Sequence, residues 1–153
     1  MTAPARWPAL YLTHPMRGRT IRVSRRHPSP MTTVPIPSIA RLDELLEGQP
    51  LAREVETAAG PRRLVVLRAG GGPRVYLNSC PHQGVRLDWQ PGVLLDVAGE
   101  HLQCSMHGAL FRLEDGYCLS GPCAGRALLA VAVEVVDGEL RLAPGARVPP
   151  SAR

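Results

Sequence analysis

The sequence predicts an all-β domain, a small antiparallel sandwich or barrel with two ligand-bearing loops and one short helix. Three observations predict it. Short Val- and Leu-rich runs separated by glycine turns recur from Arg63 to Leu142. Two of these turns, Gly70–Pro73 and Asp137-Gly138, join paired runs as hairpins. Helical spacing is confined to one stretch, Ser38 to Leu51.

Each element follows in order. Residues 1–37 are Pro- and Arg-rich without a period, and are expected as a disordered basic extension, with Met31 as an alternative start. "SIARLDELLEGQPL", Ser38 to Leu51, has Ser38 as an N-cap and Gly48 as a stop, which predicts the short helix. "RLVVLRA" and "RVYLN" make the first hairpin across "GGGP". "HLQC" and "ALFRL" are strands flanking a loop, "EDG" is a turn and "YCL" a short strand. "GPCAG" is a loop, and "LLAVAVEVV", "DG" and "ELRL" close the fold as a hairpin. The domain is therefore expected over 38–144, with 145–153 as a disordered tail.

The 153 residues suffice for one modest domain. All 18 basic residues are Arg, which reads as the coding bias of a GC-rich genome. The net charge of +5 is not spread evenly: residues 1–30 hold six Arg and no acid, whereas residues 31–153 hold twelve Arg against thirteen acids. A nearly neutral body argues against a nucleic-acid face. No apolar run approaches the length of a membrane span. Arg25-Arg26 lacks the apolar stretch of a twin-arginine export signal, and prolines break any amphipathic transit helix. The expectation is a cytoplasmic protein with neither nucleic acid nor membrane as partner.

The chemistry is concentrated in "CPHQG" and "CSMHG". Each offers one sulfur and one imidazole, Cys80 with His82 and Cys104 with His107, and each has a glycine four residues after its cysteine, Gly84 and Gly108. Two sulfur and two nitrogen ligands suit zinc or an iron–sulfur cluster. Zinc fingers usually place two cysteines together and two histidines together. Here each box mixes the types, which makes sense if two metal ions are present, one taking both cysteines and the other both histidines. A structural zinc site remains the other reading, and buried residues in coincidental order the blandest. His101, three residues before Cys104, is expected as a strand residue facing solvent rather than a substitute ligand. Trp89 is expected either over the ligand loops or in ordinary packing, and Asp88 and Glu100 have no visible catalytic partner.

With these boxes and the following "GALF…DG…GP", the stretch from Leu64 to Leu142 resembles the Rieske iron–sulfur family. The resemblance implies one [2Fe–2S] cluster per chain, with Cys80, His82, Cys104 and His107 as metal and cofactor ligands and no catalytic residue. It implies an all-β fold of the Rieske type, with Gly121-Pro122 in a loop over the cluster. Twenty-one residues separate His82 from Cys104, more than in typical Rieske ferredoxins, with the extra length in "DWQPGVLLDVAG". Respiratory members brace their boxes with a disulfide; the corresponding places here are held by Val85 and Met106. Cys118 and Cys123 are expected as reduced, buried thiols outside the ligand set. High-potential members resemble C-x-x-H-G-S-x-Y in their second box, where Ser and Tyr hydroxyls bond cluster sulfurs. Ala109 and Phe111 hold those places here, which implies a low potential.

A neutral centre of two ferric ions, two sulfides and two thiolates accepts an electron more easily than the dianion that four thiolates leave. The function expected is one-electron transfer, as a ferredoxin-like component between a flavin reductase and an oxygenase. The alternative is a small redox subunit of a larger reductase or dehydrogenase complex. Rieske oxygenase subunits carry a further mononuclear iron on two histidines and a carboxylate. No His follows His107, so the chain is expected to be at most a component of an oxidoreductase system.

Overall fold

The computed structural model describes residues 37–150. The expected extension, including Met31, and residues 151–153 lie outside the described residues. Among the described residues, nine strands form three antiparallel three-stranded sheets. The first sheet has the order β1 (Ser38–Arg41), β9 (Glu139–Leu142), β8 (Val133–Val136). The second is the meander β2 (Leu51–Thr57), β3 (Gly60–Ala69), β4 (Gly72–Leu77), and the third is the meander β5 (Leu102–Gln103), β6 (Leu110–Phe111), β7 (Cys118–Ser120). Among the described residues no helix is long and apolar enough to cross a membrane.

Both expected hairpins form. Leu64 to Ala69 pair with Gly72 to Leu77 around a two-residue Gly70-Gly71 turn. Val133 to Val136 pair with Glu139 to Leu142 around Asp137-Gly138, both residues having positive φ as the tight hairpin turn demands. The expected helix over Ser38–Leu51 is a correction. Ser38–Arg41 is instead a strand paired with β9, and helical geometry is limited to one 3-10 turn, Leu42–Glu44. A short isolated helix gains little by itself, whereas strand pairing buries Ile39 and Ala40 against Leu140 and gives the backbone partners. The stretch after Pro50 is β2, a strand the composition did not single out, with Val55 turned into the core. The end of the described chain is docked where a frayed tail was expected: Val148 packs on the core, and its carbonyl accepts a 2.9 Å hydrogen bond from Arg62 Nε.

β3 organises the packing. Leu64 to Leu67 have no solvent exposure, so the strand is covered on both faces. Val65, Leu67 and Ala69 point into a core shared with both cysteine boxes. Leu64 and Val66 point into a second core closed by β1 and β9. Residues 129–131 tie the last hairpin to β4, since Leu77 N–H donates to the Leu129 carbonyl and Val131 N–H to the Val75 carbonyl, at 2.8 and 2.9 Å. The sheets thus enclose two packed cores on either side of β3, with the boxes in the first.

Candidate functional site

The two boxes have the same backbone closure. In the first, Cys80 N–H donates to the Val85 carbonyl and Gly84 N–H to the Cys80 carbonyl, both at 2.7 Å. In the second, Cys104 N–H donates to the Ala109 carbonyl at 2.9 Å and Gly108 N–H to the Cys104 carbonyl at 2.8 Å. Gly84 and Gly108 have φ of 74° and 69°, the left-handed conformation that closes each turn and that glycine adopts without penalty. This shared geometry accounts for a glycine four residues after each cysteine.

Both cysteines are buried and lie in one core cluster. The neighbouring Cys104 thiol holds Cys80 below its ordinary range, and Cys80, with burial, pushes Cys104 well above it. The histidines, one offset by two residues from its cysteine and the other by three, meet edge to face with ring centroids 5.3 Å apart. His82 is half-buried and His107 exposed. The site is thus a buried thiol pair and a surface imidazole pair. Among the described residues no three His, Cys, Asp or Glu side chains are grouped to hold a single metal ion. Two donors on each of two irons fit that division.

Asn78 and Ser105 fasten the boxes together, and neither is conspicuous in the sequence. Asn78 is buried; its Oδ1 accepts Leu87 N–H at 2.8 Å, and its Nδ2 donates to Asp88 Oδ1 at 2.7 Å. Asp88 therefore has a partner, a structural one. Ser105 donates its hydroxyl to the Leu87 carbonyl at 2.8 Å and accepts Gln90 N–H at 3.0 Å. The segment after the first box is thereby clamped to the second box. A buried Asn two residues before a cysteine was the available signal, but its partners lie nine and ten residues away.

His101 stands apart from the two boxes. It is half-buried rather than solvent-facing, with Nδ1 3.0 Å from Asp96 Oδ2. Asp96 also accepts Glu100 N–H at 2.9 Å, so both residues seal a surface turn. Trp89 is 53% exposed on the segment between the boxes, and does not fill the core. The Gly121-Pro122 loop lies on the second box, where Ala109 backs onto Gly121. Cys118 and Cys123 are buried free thiols, and Val85 and Met106 pack against the same core.

A Rieske [2Fe-2S] domain model matches residues 36–140. Among solved structures, the Sphingomonas yanoikuyae B1 ferredoxin is 23% identical with a TM-score of 0.53, over 69% of this chain and 95% of that one. The ferredoxin of carbazole 1,9a-dioxygenase from Nocardioides aromaticivorans IC177 is 25% identical with a TM-score of 0.52, over 71% and 96%. A chain from a complex of reduced oxygenase and oxidized ferredoxin in carbazole 1,9a-dioxygenase is also 25% identical, with a TM-score of 0.53, over 74% and 96%. No curated protein matches. A matched domain spanning most of the chain places this chain in the Rieske [2Fe–2S] domain family, whose cofactor is a [2Fe–2S] cluster.

Proposed function

We propose that the protein is a ferredoxin-like carrier that takes electrons singly from a flavin reductase and delivers them to an oxygenase in the cytoplasm. In this reading Cys80 and Cys104 hold one iron and His82 and His107 the other. The observation that carries it is the imidazole pair at the surface above a buried thiol pair. When bound, the cluster supplies a reversible one-electron couple. The chain supplies the rest. Cys80 and Cys104 keep their sulfurs away from water, and the twin backbone turns hold both loops rigid, which limits reorganisation when charge changes. His107 brings one ligand to the protein surface, where a partner can approach closely. Near-complete coverage of ferredoxins of dioxygenase systems supports the choice of acceptor class.

The test is iron and acid-labile sulfide analysis of the full chain, followed by pulsed EPR of the reduced protein. Two irons and two sulfides per chain are expected, with couplings to two imidazole nitrogens that fall to one in His107→Cys. One zinc per chain, or a cluster without nitrogen couplings, overturns the ligand assignment. Stopped-flow mixing of the reduced protein with a Rieske oxygenase then tests the acceptor; no electron transfer to any oxygenase whose own ferredoxin is of this family overturns that part.

A further inference from the structure

Cys118 and Cys123 lie in the same core as Cys80 and Cys104. Cys118 opens β7, and Cys123 follows the Gly121-Pro122 step. Their sulfurs are 3.2 Å apart, and each residue is only 1% exposed. The backbone fixes this approach. Cys118 N–H donates to the Arg126 carbonyl at 2.8 Å, Arg126 N–H to the Cys123 carbonyl at 3.0 Å, and Gly125 N–H to the Cys118 carbonyl at 3.2 Å. The loop is a closed turn that points two thiols at each other. A disulfide bond is about 2.0 Å long. Forming it requires the sulfurs to close by roughly 1.2 Å, within reach of small side-chain rotations.

We propose that Cys118 and Cys123 form a reversible dithiol–disulfide pair, a second redox site on the loop that covers the second box. The oxidant is hydrogen peroxide. One cysteine sulfur attacks a peroxide oxygen, the O–O bond breaks, one water leaves and a sulfenic acid remains. The second sulfur attacks the first, the S–S bond forms, the S–O bond breaks, and a second water leaves. Two thiols and one hydrogen peroxide thus give one disulfide and two waters. A dithiol reductant reverses the change by exchange. Transient disulfides of this kind are the form expected where the bulk of thiols stay reduced.

The test treats full-length holo-protein with hydrogen peroxide, quenches in acid, alkylates free thiols and maps the peptides by mass. The peptide holding both cysteines should lose two hydrogens and resist alkylation, and dithiothreitol should restore both thiols. In Cys118→Ser, Cys123 should stop at a sulfenic acid trapped by dimedone, with no disulfide. Free alkylation of both cysteines after oxidation, a sulfinic acid as first product, or loss of iron before any bridge forms overturns the proposal.

Discussion

Gly121 lies so close to Ala109 that a β-carbon at position 121 would sit 2.7 Å from the Ala109 Cα. The loop carrying Pro122 is therefore seated directly on the strand that leaves the second box, with no room for a side chain between them.

Gly121→Ala should be strongly destabilising. Overpacking costs about 1–3 kcal/mol, and a left-handed residue with a β-carbon adds about 1–2 kcal/mol; Gly121 has φ 101°. Gly92 has φ 82° and open space around it, so Gly92→Ala isolates the backbone contribution. Thermal melts of the two variants should differ, Gly121→Ala melting lower. Equal melting temperatures would remove the packing argument.

Asn78→Ala should loosen the boxes without touching a proposed ligand. It strips the acceptor from the Leu87 N–H, a residue with no exposure, and the donor from Asp88. An unsatisfied buried donor costs about 1–3 kcal/mol. The measurable result is a lower melting temperature together with faster release of iron to a chelator. Unchanged iron release would show that the clamp is not what holds the loops.

Ala109→Ser and Phe111→Tyr should each raise the midpoint potential. Both wild-type residues are buried among the cysteines and neither offers a hydroxyl. A hydrogen bond worth ~1 kcal/mol corresponds to about 40 mV for one electron. The wild type should lie near the low end of a Rieske range that runs from about −150 to +300 mV. Protein-film voltammetry decides it: a wild-type midpoint well above zero, or no upward movement in either variant, contradicts the reading.

The turn sealed by Asp96 should weaken in acid. Its hydrogen bond with His101, followed by bonds from the Glu100 and His101 N–H groups, holds the Asp96 carboxyl below its ordinary 3.8. A folded-state value below the unfolded one gives stabilisation that is full above pH 3.8 and is lost as pH falls through the lowered value. Amide protection factors in residues 96–101, corrected for the intrinsic pH dependence of exchange, should therefore fall at low pH in the wild type. In Asp96→Asn that acid dependence should be flatter, and identical pH profiles would contradict the assignment.

Local chemistry made the hairpins and boxes legible. Gly70-Gly71 and Asp137-Gly138 specify tight turns within two residues, and the cysteine, histidine and glycine of each box act within five. What stayed illegible depends on partners far along the chain. Ser38–Arg41 reads as the start of a helix because its strand partner, Glu139–Arg141, lies at the other end of the domain. In β2 the alternation is diluted by Arg53, which lies half-buried on the same face as Val55. Asn78 and Ser105 look like ordinary loop residues until their partners around Leu87 come into contact with them. The same holds for Gly121, whose requirement comes from Ala109 rather than from its own turn alone.

β3 acts as a party wall between two rooms. Val65 and Leu67 face the room that holds the cysteine boxes, while Leu64 and Val66 face the room in which Ile39 and Leu140 seal the domain's two ends together. Neighbouring residues on a strand share a backbone, so neither face can shift while the other stays still. Emptying the metal-bearing room therefore slackens the seam between the ends as well. The centre and the closure of the chain stand or fall on one ten-residue strand.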